Sequence, residues 1–300
     1  MTKATAIPLI FIFFLSPSLC SGQLQELKGP SITILYEEGL EGSAEEIQRM
    51  IPSIKEELEA KTGLAFDFPF EVLVYRERND FVQHAGSDMI SAFAVPHKNL
   101  VVLDLSQMRV HPLNIELIIL HEMCHLLLHK HIGDENLPKW FDEGVSQWVS
   151  GGMSEIINPQ EADVLKRAVI GNRLIPLRQL SKIFPPDRPG LALSYEQGKS
   201  MVDYIEETYG SGSVRKIIQG LAEGVDFQSV LRQKLSVSFD GLERDWERAL
   251  KFRYTWFTYL SDNLLWIIFI AGSILVVAGY YLLKKRMRNL PEDEDQEWFE

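Results

Sequence analysis

The chain has 300 residues, of which 46% are hydrophobic and 24% are charged, a composition typical of a folded protein with one or two domains. Its formal net charge of -12 argues against nucleic-acid binding, because contact with phosphates requires a basic surface. Its two cysteines, Cys20 and Cys124, exclude an internal disulfide framework, because Cys20 lies at the end of a predicted signal sequence. We expect Cys124 to be a small buried side chain.

The N-terminus, residues 1–22, has the pattern of a secretory signal peptide. Lys3 supplies a short positive region, and residues 7–15 form a nearly uninterrupted apolar run. Small residues follow at positions 16–22, as a cleavage site requires. We therefore expect the chain to be exported and its mature form to begin near Gln23.

Strand patterns open the body that follows. Runs of β-branched and aromatic residues, separated by turn residues, predict strands. These runs are residues 31–36, 70–75, 91–95 and 100–105. Residues 96–99 (PHKN) join the last two as a predicted hairpin. Between the first two, residues 43–61 predict a helix in which Ser43 and Glu46 are spaced as a capping box and Pro52 introduces a kink or a break.

The pattern from residue 113 onward is helical almost to the C-terminus. No internal repeat or low-complexity linker divides residues 23–255, so we expect them to form one domain. Because the predicted strands come first and the predicted helices follow, we expect an α+β fold. A small mixed sheet subdomain would precede a helical subdomain, with a cleft between the two.

The sequence His121-Glu122-Met123-Cys124-His125 lies in this helical part. Two histidines four positions apart on a helix share one face, about one turn apart, so both imidazoles can reach one metal ion. The glutamate between them can hold a water beside that ion and accept its proton. The motif therefore predicts a zinc-hydrolase site with His121 and His125 as ligands and Glu122 as general base.

A catalytic zinc site of this kind needs a third protein ligand and an open position for water. His131 lies ten positions after His121, the spacing of the third histidine in HExxHxxGxxH enzymes, but Leu128 stands where that motif needs glycine. Glu143 is the other candidate. Pro138 can begin a new helix, and a glutamate in the first turns of that helix can point back at the two histidines. We favour Glu143 and keep His131 as the alternative.

Residues 264–283 form an uncharged span of twenty positions, long enough to cross a hydrocarbon core of roughly 30 Å. Aromatic residues, which favour the membrane interface, lie near both of its edges. Basic residues follow at once and should remain in the cytoplasm under the positive-inside rule. We therefore expect a single-pass membrane protein in which residues 284–300 are a cytoplasmic tail. The catalytic domain would lie outside the cytoplasm, in a periplasm or on the outer face of the membrane.

The HEMCH motif followed by residues 140–144 (WFDEG) resembles the gluzincin pattern, which is shared by thermolysin-like enzymes and aminopeptidase N relatives. Residues 194–199 (SYEQGK) resemble a tyrosine-bearing segment of the aminopeptidase N group. The similarity is closest to the compact peptidase MA-like domains and implies a thermolysin-like catalytic fold with one Zn²⁺ per chain. The implied zinc ligands are His121, His125 and Glu143. The resemblance also implies that Glu122 is the general base and that the Tyr195 hydroxyl stabilises the oxyanion.

The sequence departs from the aminopeptidase pattern where substrate binds. The glycine-alanine-methionine-glutamate-asparagine segment that anchors a substrate amino terminus is absent, and the strand pair 91–95 and 100–105 stands in its place. An edge strand open to an extended peptide favours endopeptidase-like binding. Around the metal site, we expect Gln147 to take the outer-shell role that thermolysin-like enzymes give to an aspartate. We expect His129 to interact with the last carbonyl groups of its helix.

These features together predict a membrane-anchored, extracytoplasmic zinc metallopeptidase that hydrolyses peptide or protein substrates by zinc-activated water. The alternative is a membrane-tethered zinc-binding or interaction module with weak or lost hydrolysis. The presence of Glu122 favours the enzyme, because a pure binding module has no need of a general base. The sequence carries no indication of an oligomeric state.

Overall fold

The computed structural model describes residues 24–110, 114–151 and 163–288. The predicted signal peptide and the distal part of the predicted cytoplasmic tail lie outside these residues. The described chain begins with a five-stranded mixed sheet and continues as a series of helices. This confirms the predicted α+β fold class, in which a small mixed sheet precedes a helical part.

The sheet contains the four predicted strands and one more. Its strands are β1 (Gln25–Lys28), β2 (Ile32–Tyr36), β3 (Phe70–Tyr75), β4 (Ala92–Val95) and β5 (Leu100–Asp104). Their order is β1-β2-β3-β5-β4, with β2, β3 and β5 parallel and the two outer strands antiparallel to their neighbours. A 3₁₀ turn, Pro96–Lys98, closes the predicted β4–β5 hairpin. The sequence analysis missed β1, because its four residues, QELK, lack the β-branched and aromatic side chains typical of strands.

Twelve helices are described, of which two lie between strands of the sheet and ten follow its last strand. They are α1 (Glu41–Thr62), α2 (Arg78–Ala85), α3 (Leu105–Val110), α4 (Ile115–Ile132), α5 (Lys139–Val149), α6 (Val164–Ile170), α7 (Leu177–Leu180), α8 (Arg188–Tyr209), α9 (Ser213–Ala222), α10 (Phe227–Val230), α11 (Phe239–Asp262) and α12 (Leu264–Arg288). A short π-helical turn, Leu231–Leu235, follows α10. The prediction of a helical second part is confirmed.

The pleat of the sheet separates two apolar clusters. Val72 and Val74 of β3 are fully buried in the main core, which extends through α1, α4 and the later helices. On the opposite face, Tyr75 and Val102 pack with Phe81 of α2 in a smaller cluster. Because successive side chains of a strand point to opposite faces, the sheet has an apolar layer on both sides.

α1 packs against β2 and α4 with a buried stripe of apolar residues. Its N-terminal cap and its path at Pro52 differ from the prediction. The helix begins at Glu41, and its N-cap residue makes no side-chain hydrogen bond, so the predicted capping box of Ser43 and Glu46 is wrong. Pro52 does not split the helix. Its ring lies on the exposed side, and the stripe continues past it on the buried side. Burial of that stripe outweighs the hydrogen bond that proline removes. The buried residues of the stripe include Ile47, Ile51, Ile54 and Leu58.

α4 carries the HEMCH motif into the interior between the sheet and the helical part. Every residue from 118 to 128 is at most 8% exposed. The helix contacts β4 and β5 on the sheet side and α1, α5 and α9 on the other sides. The Asn114 side chain accepts a hydrogen bond from the Glu116 amide, at 3.0 Å, and so caps the start of the helix.

α12 is the opposite case, an apolar helix that the described residues leave exposed. Residues 264–286 have a mean hydropathy of 2.2 and none of that stretch is buried within the chain. By length and composition it is the one helix of the described residues that could cross a membrane. The helix extends to Arg288, so Lys285, Arg286 and Arg288 of the predicted tail belong to its last turn.

Candidate metal centre and active site

The two histidines of the HEMCH motif meet on one face of α4. His121 and His125 are 1% and 8% exposed. Their Nε2 atoms are 3.2 Å apart, and their ring planes are inclined by 79°. The spacing of four residues on the helix therefore presents the same nitrogen of both rings to a common point.

α5 brings Glu143 to this point. The helix begins directly after Pro138, whose backbone is extended, and Glu143 lies in its second turn. The Glu143 Oε2 atom is 3.5 Å from His125 Nε2 and 3.9 Å from His121 Nε2. Glu143 is 8% exposed, because α5 packs between α4 and α8. The downstream carboxylate and the two histidines thus form one buried group.

The three donor atoms fit a zinc ion. Ligand distances of about 2.0–2.1 Å place the donor atoms of a tetrahedral zinc ion about 3.4 Å from one another. The separations found here are 3.2, 3.5 and 3.9 Å. In addition, Glu143 Oε2 is buried and makes no hydrogen bond with any described residue. A buried carboxylate oxygen without a hydrogen bond destabilises the folded protein unless a cation binds it. These residues therefore suit a metal ion.

The rival candidate for third ligand lies elsewhere. His131 Nε2 is 2.9 Å from the carbonyl oxygen of Ala65, which belongs to the segment between α1 and β3. Of the two candidates, the structure brings only Glu143 to the two histidines. Cys124 is buried on α4, as expected, and burial raises the pKa of its thiol to about 12.

Asp142 is the hydrogen-bond partner of the second motif histidine, His125. Its Oδ1 accepts a hydrogen bond from His125 Nδ1 at 2.8 Å, which leaves Nε2 as the nitrogen available to a metal ion. The expectation that Gln147 fills this role is wrong. Gln147 is buried further along α5, and its side-chain Nε2 has no hydrogen-bond partner among the described residues. The sequence signal was the acid directly before Glu143, but the helix orientation that makes it a partner is not visible in the sequence.

Burial and neighbouring charges have opposite effects on the pKa values of His125 and Asp142. Burial alone would lower the pKa of His125, but the carboxylates of Asp142 and Glu143 raise that pKa well above its usual value. Burial would raise the pKa of Asp142, but His125 and His129 lower it. Asp142 is therefore an ionised acceptor at neutral pH. His129 contacts Asp142 and Asp134, so the expectation that it interacts with the last helix carbonyls is wrong.

A cleft of about 430 Å³ opens beside the donor group. Phe93 and Ala94 of β4 line one side of it, and Glu122 and Tyr195 line it from the helical part. Among the described strands, β4 pairs only with β5 and so forms an outer edge of the sheet. The predicted cleft between sheet and helices is therefore present, with an edge strand at its wall.

Tyr195 reaches the cleft from α8. It is 8% exposed, and its ring lies edge-on to the ring of Phe184, with centroids 5.5 Å apart. α8 approaches α5 closely because both helices have glycine at their crossing. A Cβ atom on Gly144 would lie 2.5 Å from the carbonyl oxygen of Gly198, and one on Gly198 would lie 2.6 Å from that of Trp140. These glycines of the WFDEG and SYEQGK segments therefore set the distance between the two helices, a packing role that the sequence analysis missed.

The sequence matches the family model described as the Peptidase MA superfamily over residues 53–252, two thirds of the chain. Among curated proteins, no sequence matches the chain. Similar solved structures include an M1 zinc metallopeptidase from Deinococcus radiodurans, with a TM-score of 0.41 and 12% identity, covering 76% of this chain and 49% of that one. Native yeast LTA4 hydrolase is also similar, with a TM-score of 0.45 and 14% identity, covering 76% of this chain and 37% of that one.

Both solved structures are distant in sequence, and this chain spans less than half of the length of each. The family match rests on the sequence of this chain itself. It runs from the middle of α1 to α11 and includes the segments that carry His121, Glu143 and Tyr195. On this evidence the chain belongs to the Peptidase MA superfamily.

Proposed function

We propose that this chain is a membrane-anchored zinc-dependent peptidase whose catalytic domain, residues 23–255, lies outside the cytoplasm. The observation that carries the proposal is the buried group of His121, His125 and Glu143 at the side of a cleft that an edge strand also lines. Membership of a peptidase family supports it. We assign these three residues as the ligands of one zinc ion per chain.

The side chains around this group have the chemistry that peptide hydrolysis needs. A zinc ion held by these residues would lower the pKa of a water molecule and polarise a peptide carbonyl group. Glu122 lies in the cleft beside His121 and accepts the proton of the attacking water, which it then delivers to the leaving amine nitrogen. Tyr195 donates a hydrogen bond to the carbonyl oxygen as negative charge develops on it. Asp142 keeps the His125 ring in one orientation throughout.

The edge strand supports endopeptidase-like binding. An extended peptide can add to a free sheet edge through main-chain hydrogen bonds, which do not depend on a substrate terminus. β4 offers such an edge among the described strands, and its residues Phe93 and Ala94 line the same cleft as Glu122. A peptide bound along β4 would therefore present an internal bond to the general base.

The apolar α12 is the proposed membrane anchor. Its residues 264–286 are long and apolar enough to cross a bilayer, and basic residues follow near its C-terminal end. Together with the signal peptide predicted at residues 1–22, these features support a topology with residues 284–300 in the cytoplasm and the catalytic domain on the other side of the membrane.

The test is a joint measurement of metal content and peptide hydrolysis on the full chain purified in detergent. The wild type should contain one zinc ion per chain and cleave internal bonds of an unstructured peptide pool. Glu122→Gln should retain zinc and lose hydrolysis, whereas Glu143→Ala should lose zinc or bind it much more weakly. Glu135→Gln changes an exposed acid between α4 and α5, and this control should behave as wild type.

Two outcomes would contradict the proposal in different ways. A wild-type chain that binds zinc but cleaves no peptide would favour the tethered zinc-binding module. A wild-type chain without zinc, even after zinc is supplied, would contradict the metal site itself.

A further inference from the structure

The carboxylate of Asp142 joins two histidines of α4. Its Oδ1 is 2.8 Å from His125 Nδ1, and its Oδ2 is 3.0 Å from His129 Nε2. Asp142 is 7% exposed, and the His129 side chain is 22% exposed. Because His125 and His129 are one helical turn apart, both rings can reach a single carboxylate that projects from α5.

The connection continues to the surface. His129 Nδ1 is 2.5 Å from Asp134 Oδ1, and the Asp134 side chain is 83% exposed. A chain of four alternating imidazoles and carboxylates therefore runs outward from the proposed zinc ligand His125, through Asp142 and His129, to Asp134. Both nitrogens of His129 are engaged in this chain.

We propose that His129 is a positioning residue for the zinc site, an inference that rests on the zinc-binding part of the proposed function. A carboxylate that accepts one hydrogen bond can rotate about its side-chain bonds, whereas one that accepts a bond at each oxygen is held in one plane. His129 fixes the second oxygen of Asp142 and thereby keeps the first aimed at His125 Nδ1. The His125 ring is then held with Nε2 toward Glu143, as a zinc ion requires.

The same geometry argues against a second metal ion between His125, His129 and Asp142, although these residues lie close enough to be considered as ligands. The oxygen–nitrogen distances of 2.8 and 3.0 Å are those of direct hydrogen bonds, so the donor atoms already face one another. The group thus serves the first site and is not a site of its own.

The expected consequence of losing His129 is weaker zinc binding in a domain that remains folded. Without its donor, the second oxygen of Asp142 is released and the carboxylate is free to turn toward water. Replacing outer-shell partners of metal ligands typically weakens metal affinity by about 10–100-fold. His129 is one step further out than Asp142, so we expect about a 10-fold increase in the zinc Kd for His129→Ala.

The experiment measures the zinc Kd of the full chain in detergent by competition with a fluorescent chelator. The absorption spectrum of the Co²⁺-substituted protein reports the ligand geometry, and the melting temperature of the metal-free protein reports its fold. His129→Ala should bind zinc more weakly and change the Co²⁺ spectrum, with its metal-free melting temperature near that of wild type. His129→Gln keeps an N–H donor and should recover part of the affinity. His131→Ala is the matched control, because His131 lies on the same helix but contacts Ala65.

Equal zinc Kd values for wild type and His129→Ala would overturn the inference. So would an affinity loss in His131→Ala as large as that in His129→Ala, or a second equivalent of zinc in the wild type that only His129→Ala loses. If His129→Ala does not fold, His129→Leu removes the donor with a side chain of similar size, and an unchanged zinc Kd and Co²⁺ spectrum in that variant would overturn the inference. A wild type that binds zinc but hydrolyses no peptide would refute the peptidase and leave this zinc-affinity test intact.

Discussion

Two of the described helices, α4 and α12, have apolar side chains around most of their circumference, but their surroundings are opposite. The central residues of α4 are enclosed by the sheet and by three other helices, whereas no described part of the chain buries residues 264–286 of α12. α4 also contains His121, Glu122 and His125 in its middle, and residues 264–283 of α12 contain no charged side chain. An apolar helix therefore indicates an apolar environment without saying whether protein or lipid provides it.

Polar side chains distinguish the two cases. In lipid a charged side chain has no partner and is costly, so a membrane anchor leaves such residues out. In a protein core, partners can come from a neighbouring helix, and α5 supplies both Glu143 and Asp142 to the histidines of α4. Charged residues inside an otherwise apolar helix thus indicate a site that another element completes.

The largest predicted effect tests whether those polar residues are functional. Glu122→Gln keeps the shape of the side chain but removes the base, and we expect hydrolysis to fall on the order of 10³-fold while zinc content stays unchanged. The measurement is kcat/KM on a peptide substrate together with zinc content. Glu116→Gln alters the first turn of the same helix and should leave both unchanged. Normal hydrolysis by Glu122→Gln would refute the mechanism.

The second prediction tests whether the protein core surrounds α4 but leaves α12 exposed. Leu127 of α4 is fully buried, so Leu127→Ala should lower the free energy of unfolding of the domain by about 2–5 kcal/mol. Leu275 of α12 is 72% exposed, and Leu275→Ala should leave that free energy unchanged. Denaturant unfolding of the full chain in detergent, followed by tryptophan fluorescence, measures both. Equal shifts in the two variants would show that α12 packs on the domain.

The third prediction concerns the close crossing of α5 and α8. A methyl group on Gly198 would meet the carbonyl oxygen of Trp140 at 2.6 Å, so Gly198→Ala should destabilise the domain by about 1–3 kcal/mol. It should also lower kcat/KM, because α8 carries Tyr195. Gly272 in α12 has nothing within 4 Å of such a methyl group, and Gly272→Ala is the matched control. Unchanged stability of Gly198→Ala would mean that the crossing can relax.

The smallest effect on zinc binding and hydrolysis is expected from removing α12, the proposed membrane anchor. A chain that ends after Asp262 lacks α12, and it should move from the membrane fraction to the soluble fraction. Its zinc Kd and kcat/KM should match those of the full chain, because residues 264–286 are not buried against the domain. Fractionation, chelator competition and peptide hydrolysis test this. Loss of zinc binding on truncation would refute the independence of the two parts.

The local elements follow from the sequence to different degrees. β2, β3 and the β4–β5 hairpin are predicted because alternating β-branched and aromatic residues are a local signal. β1 is too short and polar to carry that signal, and it forms because β2 offers an edge for pairing. The start of α1 and its passage through Pro52 are likewise decided by packing on the sheet and not by the cap or the proline.

The sequence by itself determined the pairing of His121 with His125 and the position of Glu122 beside them, because four residues on a helix fix the geometry of one turn. It also pointed to Glu143 ahead of His131. Only the tertiary structure decided that Asp142, and not Gln147, holds His125. That choice depends on how α5 is rotated against α4, and the rotation is set by burial and by the glycine crossing with α8, interactions between residues far apart in the chain.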